Sequence, residues 1–119
     1  MAQEELEKKV ELAWLLAFYG GMLTEKQREV LRLHCEEDLS LAEIAQEAGI
    51  SRQGVHEQLS RAARKLFEME EKLGVASRYA RVQRGLEAGL DALRRGDASA
   101  AEQQLLRLLQ LDQEESHGV

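Results

Sequence analysis

The stretch 39-LSLAEIAQEAGISRQGVHEQL-59 decides the fold. Two short amphipathic pieces meet at Gly49, and the second opens on Ser51-Arg52-Gln53. Ser40 and Glu43 have capping-box spacing: the hydroxyl accepts the backbone N–H three residues on, and the Glu side chain reaches back to the Ser N–H. Ser51 is a good N-cap for the piece that follows. Gly49 tolerates the positive φ that a tight turn between two helices requires. Ala45 is small where the helices must approach. Ile44, Ile50 and Val55 fill the corner, and Leu59 continues the buried side one turn on. Every packing position of a helix-turn-helix is filled in order.

Working outward, the segment before it opens with 24-TEKQ-27, a second capping-box pair, Thr24 and Gln27. Val30, Leu31, Leu33 and His34 supply its apolar side. The first helix is predicted from about Gln3 to Tyr19, ending at Gly20-Gly21. Val10, Ala13, Trp14 and Ala17 make one stripe on it; Leu12, Leu15, Leu16 and Tyr19 make another. A helix apolar nearly all round predicts burial on several sides, in the core and at a subunit interface.

Beyond the motif, Val55, Leu59, Ala62, Leu66, Met69 and Leu73 recur at alternating spacings of four and three, up to the stop at Gly74. Such a seam can pack like a short coiled coil. The last third reads as a helical hairpin. Tyr79, Val82, Leu86, Leu90 and Leu93 line one helix, RRGDAS is the turn, and Leu105, Leu106, Leu108, Leu109 and Leu111 line the other. It resembles a single tetratricopeptide-type unit, and one unit cannot bury its own face. The expected organisation is a helix-turn-helix domain over 1–74, a hairpin over 75–112 packed on that core or on a second subunit, and a flexible tail over 113–119. The fold class is all-α: a helix-turn-helix core, similar to sigma region 4, with an extra N-terminal helix and a C-terminal hairpin.

Composition agrees. The 119 residues include no Pro and only 4% aromatics, and the abundant Ala, Leu, Glu, Arg and Gln favour helix. Cys35, alone, cannot form an internal disulfide, which fits a reducing compartment. The longest strictly apolar run, Leu12 to Tyr19, is far short of the roughly 20 residues that span a bilayer. The N-terminal MAQEELEKKVE lacks a basic-then-apolar signal pattern. These features predict a cytoplasmic protein.

Charge locates the candidate site. The chain carries a net charge of -6, which argues against non-specific coating of nucleic acid. From Ser51 to Lys65, however, four basic side chains stand against one acidic, a local +3 that leaves -9 for the rest. In a helix-turn-helix the start of the second helix faces a groove, which selects Ser51, Arg52, Gln53, His56 and Glu57. Arg pairs with guanine and Gln with adenine in the major groove. Further along, Ser60, Arg61, Arg64 and Lys65 can meet phosphates. The competing reading is a solvated helix face whose cations pair with nearby acids. Gly54, inside this helix, either admits a close backbone approach or is simply tolerated. No metal spacing is present: His34 and Cys35 are adjacent and point about 100° apart on a helix. Nothing orients a nucleophile pair and no Gly loop cradles a phosphate. No enzyme activity, cofactor or small-molecule substrate is expected.

Residues 23-LTEKQREVLRLHCEEDLSLAEIAQEAGISRQGVHEQLSRAARKL-66 resemble the promoter-binding region 4 of bacterial sigma factors. The wider stretch is more similar still to the YlxM family of small bacterial helix-turn-helix proteins. FYGGMLTEKQREVL, DLSLAEIAQEAGISRQGV and the long helix ending at EEKLG carry that resemblance, over roughly residues 10 to 74. Arg52 and Gln53 match the family's SRQ. The chain departs at His56, where the family tends to have a ring such as Tyr, and at Gly54, in place of the commoner Ala. A base contact through position 56 is therefore not carried over. The resemblance implies an association with the signal recognition particle (SRP) pathway, with the SRP GTPase or SRP RNA as partner, and a regulatory role. Two functions follow as expectations. One is a DNA-binding regulator, with duplex DNA as target ahead of RNA, working as a homodimer. The other is a protein or ribonucleoprotein adaptor whose helix-turn-helix is scaffold.

Overall fold

In the computed structural model, which describes residues 2–117 and side chains over 3–111, the chain is built of six α-helices, with no strand among the described residues. They are α1 (Ala2–Tyr19), α2 (Glu25–Cys35), α3 (Leu41–Ala48), α4 (Arg52–Leu73), α5 (Val75–Arg94) and α6 (Ala98–His117), with a 3-10 turn at Gly20–Met22 after α1. The chain divides into two compact units, Met1–Ala76 and Ser77–Val119.

The starts of the first unit's helices are set by the residues singled out in the sequence. Thr24 Oγ1 accepts the Gln27 N–H and Gln27 Oε1 accepts the Thr24 N–H, both at 3.1 Å. Ser40 and Glu43 make the same reciprocal pair at 3.2 and 3.0 Å. The Ser40 N–H, and then the Ser40 hydroxyl, hold the Glu43 carboxylate and keep its pKa below the usual value. Gly49 ends α3 at φ 70°, and its N–H and that of Ile50 both return to the Ala45 carbonyl. An L side chain at that φ would cost roughly 1–2 kcal/mol. Lys26 Nζ donates to the Ala48 carbonyl at 2.9 Å, supplying a cation to the negative end of α3.

Packing falls into two clusters that share α2. Leu15, Leu16 and Tyr19 of α1, Leu31 of α2, and Ala62 and Leu66 of α4 form one. Val30 and Leu33 of α2, Ile44 and Ala48 of α3, and Val55 of α4 form the other, with Ala45 and Ile50 packed against it. Leu59 touches both. The corner of the helix-turn-helix is thus the one its sequence spacing predicts.

Two expectations meet the packing. Within this chain the first helix is buried on one side, as core, and the stripe expected at a subunit interface is exposed. Leu15, Leu16 and Tyr19 are buried, while Val10 is 62% exposed, Trp14 41% and Ala17 exposed. The chain's own α2 and α4 cover one stripe, and its other helices leave the second open. The α4 seam, in turn, is spent inside the protein. Val55, Ala62 and Leu66 are buried against α1, α2 and α3, and only Leu73 at its end is exposed. The seam is therefore no free coiled-coil surface.

A buried polar link joins α1 to the start of α5. The Tyr19 hydroxyl donates to Glu70 Oε1 at 2.6 Å and accepts the Val75 N–H at 3.1 Å. Glu70 Oε1 also accepts the Ala76 N–H at 3.1 Å. These two oxygens cap the first turn of α5, where no preceding side chain does so. Burial, and then the bond to the Glu70 carboxylate, raise the Tyr19 pKa, so the phenol stays neutral. Tyr19→Phe keeps the ring but strips the Val75 N–H and the Glu70 carboxylate of a partner. Thermal unfolding should show a loss of about 1–3 kcal/mol; an unchanged melting temperature would mean that water replaces the hydroxyl.

Cys35 lies half-buried against the first cluster. Burial pushes its thiol from an ordinary value of 9.0 up to about 11. At pH 8 the reactive thiolate fraction then falls about 100-fold. Ellman's reagent should react about two orders of magnitude more slowly with native than with denatured protein. Equal rates would show the thiol to be open.

In the second unit, Asp97 Oδ1 caps α6 through the Ala100 N–H at 3.0 Å, after a turn at Gly96. The hairpin does not close on its leucines. Ala92 and Ala101 are 1% and 2% exposed, whereas Leu86, Leu90, Leu93, Leu105, Leu106 and Leu109 are all exposed. At Gly85 the helices approach closely: a Cβ there would lie 2.5 Å from Leu108 Cδ2, so a larger residue would have to displace that side chain. Small residues draw the helices together and turn the larger side chains outward. The helix α6 runs on through His117, so the tail expected over 113–119 begins inside it; its side chains, and all of Gly118 and Val119, lie outside the described residues.

Candidate nucleic-acid interface

The helix α4 opens at Ser51, whose hydroxyl accepts the Gly54 N–H at 2.9 Å. With that bond made, the Ser51 side chain is committed to the cap. Val55, Ala62 and Leu66 fix the buried side of the helix. At about 100° per residue, Gln53, Ser60 and Arg64 then fall within about 40° of one another on the opposite side. Ser51, Arg52, Gln53, His56, Glu57, Ser60, Arg61 and Arg64 are all exposed, and Lys65 is half-buried at the margin of the core. Gln53, Glu57, Ser60, Arg61 and Arg64 thus share the outward side of α4, while Arg52 and His56 lie toward one edge of the buried seam and Lys65 toward the other.

Their electrostatics are uncompensated. Ion pairs occur elsewhere: Lys9–Asp38, Lys26–Glu29, Arg32–Glu37 and Arg95–Asp91. Among the described residues, Arg52, Arg61, Arg64 and Lys65 take part in none. The competing reading pairs these cations with nearby acids, and no such ion pair forms among the described residues. Of the helix's acids, Glu57 stands among these cations, and Glu68, Glu70 and Glu71 lie in the last turns.

Gly54 does not open a path to a groove. A Cβ there would meet Ser51 Oγ at 3.2 Å and Ile50 Cδ1 at 3.6 Å. The bare position faces back into the turn, which sequence alone left undecided.

A second feature adjoins the helix. A cleft of about 700 Å³ lies beside His56 and Leu59, walled by α1, by His34 of α2 and by the start of α3. Its basic residues are Lys8, Lys9, His34 and His56. Lys9 is held by Asp38, whose own φ is 52°, and this contact keeps the Asp38 carboxyl below its usual pKa. Burial, and then the nearby Lys9, lower the pKa of His34, and its buried Nδ1 has no hydrogen-bond partner among the described residues. The sequence gives no signal for this grouping. Lys8 and His56 are far apart in the chain, and only the seating of α1 against α2 and α4 brings them to one cleft.

No helix among the described residues is long and apolar enough to cross a membrane. The family model described as "Putative helix-turn-helix protein, YlxM / p13 like" (UPF0122) matches residues 6–105. A UPF0122 protein of Symbiobacterium thermophilum is 45% identical over 97 residues, covering 82% of this chain and 91% of the relative. One from Halalkalibacterium halodurans is 35% identical over 105 residues, covering 88% and 94%. One from Acetivibrio thermocellus is 46% identical over 74 residues, covering 62% and 63%. The match reaches past the motif into α6, and with it this chain belongs to the YlxM/p13-like helix-turn-helix family, UPF0122.

Proposed function

We propose that this protein is a non-enzymatic regulator that binds nucleic acid, duplex DNA foremost, through the exposed start of α4. One observation carries the reading: Arg52, Arg61, Arg64 and Lys65 rise from one helix with no acid paired to them among the described residues, in a chain of net charge -6. Positive charge concentrated on a helix-turn-helix reading surface, inside an acidic protein, suits a bounded phosphate interface. In this reading Arg52 and Gln53 meet base edges, with His56 and Glu57 beside them. Ser60, Arg61, Arg64 and Lys65 meet phosphates, and Ser51 holds the helix start. A cytoplasmic setting and a part in the signal recognition particle pathway belong to the same proposal, the latter by family resemblance.

A homodimer completes it, because three or four cations on one half-site bind weakly. The open stripe of Leu6, Val10 and Trp14 on α1 supports a second copy. Sedimentation that gives a 13.4 kDa species at high micromolar concentration would remove the dimer.

A second reading is favoured by the -9 carried outside Ser51–Lys65 and by that same apolar stripe. It is an adaptor that binds an SRP component or SRP RNA. Fluorescence anisotropy with labelled mixed duplex and with SRP RNA, each across a salt series, separates the two. Duplex binding with a log–log salt slope near about -3 is expected for the regulator. Binding to the RNA alone would make the protein an adaptor.

A further inference from the structure

We infer that the cleft between α1 and the start of α4 seats a backbone phosphate of the bound nucleic acid, with Lys8 as its principal cation. This rests on the nucleic-acid reading and extends the interface to a helix outside the motif.

Placement is the first argument. The cleft is bounded by His56, on the exposed start of α4, and by Ser40, the N-cap of α3. In a helix-turn-helix the second helix enters the groove while the first crosses the backbone. A duplex on Arg52, Gln53 and Arg64 therefore runs its strand past the start of α3, where the cleft opens.

Chemistry is the second. Among the described residues Lys8 is exposed and has no ion pair, whereas Lys9 beside it is neutralised by Asp38. The rings of His56 and His34 line the same cleft. Glu5 is the one carboxylate lining the cleft, and it lies on the same helix one turn before Lys8 and Lys9. Leu12, Leu41 and Leu59 supply apolar wall. A phosphate with its attached sugar has complementary parts: the anion for the cations, and the sugar's C–H surface for the leucines. Phosphate contacts of this kind position a protein without reading sequence.

The test compares wild type with Lys8→Gln and Lys8→Arg by anisotropy on mixed duplex across a salt series. Lys8→Gln should weaken binding about three- to tenfold and flatten the log–log salt slope by about 0.9, the share of one phosphate. Lys8→Arg should restore both. Unchanged melting temperatures would confirm that the fold is not the cause. If wild type binds and Lys8→Gln binds equally with the same slope, the cleft assignment is overturned while the interface on α4 stands. If wild type binds no duplex, the underlying reading falls and takes this one with it. Inorganic phosphate titrated into free protein, followed by the ring signals of His34 and His56, checks the other source of the same anion. Saturating shifts that vanish in Lys8→Gln would give the cleft to free phosphate and overturn the duplex assignment.

Discussion

Leu66→Ala is expected to destabilise the protein by about 2–5 kcal/mol, enough to leave much of it unfolded near physiological temperature. Leu66 is 0% exposed, and it is the point where α4 meets Leu15, Leu16 and Tyr19 of α1 and Leu31 of α2. The cluster is walled by three helices whose ends are tied, α2 by the Thr24 capping box and α4 through Glu70 to Tyr19. The cost is therefore the lost transfer energy and the cavity together. Leu73→Ala, on the same seam two turns later, is a control. That side chain is 57% exposed, so its loss should change stability by less than about 0.5 kcal/mol. Urea denaturation of both variants checks the contrast. Equal losses would show that the end of the seam is covered in solution, as an intermolecular coiled coil would cover it.

That contrast marks where the sequence stops being legible. Local signals were sufficient for the helix-turn-helix. Capping boxes at Thr24 and Ser40, the cap at Ser51 and the positive φ at Gly49 are all decided within four or five residues, and each forms as its spacing predicts. The exposed face of α4 follows from them, since Val55, Ala62 and Leu66 leave only one side for Gln53, Ser60 and Arg64. What the sequence could not decide was which apolar stripe a helix would bury. Val10 and Trp14 look as hydrophobic as Leu15 and Leu16, and only the placement of α2 and α4 selects between them. In the hairpin the leucine face stays exposed, as one unit alone cannot bury it. Leucine-rich periodicity marks an apolar face, but close packing went to Ala92, Ala101 and Gly85, which can approach further. The Lys8–His56 cleft is less legible still, because residues of α1, α2, α4 and the start of α3 must come together to form it.

The double variant Arg61→Ala/Arg64→Ala should lower duplex affinity by about 10- to 100-fold at low salt and flatten the salt slope from about -3 to between about -1 and -1.5. The expectation follows from the absence of acid partners among the described residues. A surface Arg already paired with Glu must break that pair before it can meet a phosphate, and part of the gain is lost. Arg61 and Arg64 have no such pair to break, so each phosphate contact appears fully in counterion release. Both side chains are exposed and lie opposite the buried seam, so the melting temperature should hold. The loss should also be uniform across unrelated duplexes, because phosphates carry no sequence. Arg52→Ala should behave differently. In the proposed reading Arg52 meets a base edge from the first turn of α4, and its loss should cost about 1–3 kcal/mol on a preferred sequence and little on others. If instead all three changes lower affinity equally on every duplex, the start of α4 is a phosphate clamp and not a reader, and sequence choice must come from elsewhere. If none of them matters while SRP RNA still binds, the helix-turn-helix is scaffold, and the unpaired cations of α4 serve only to keep an acidic protein's surface mixed in sign.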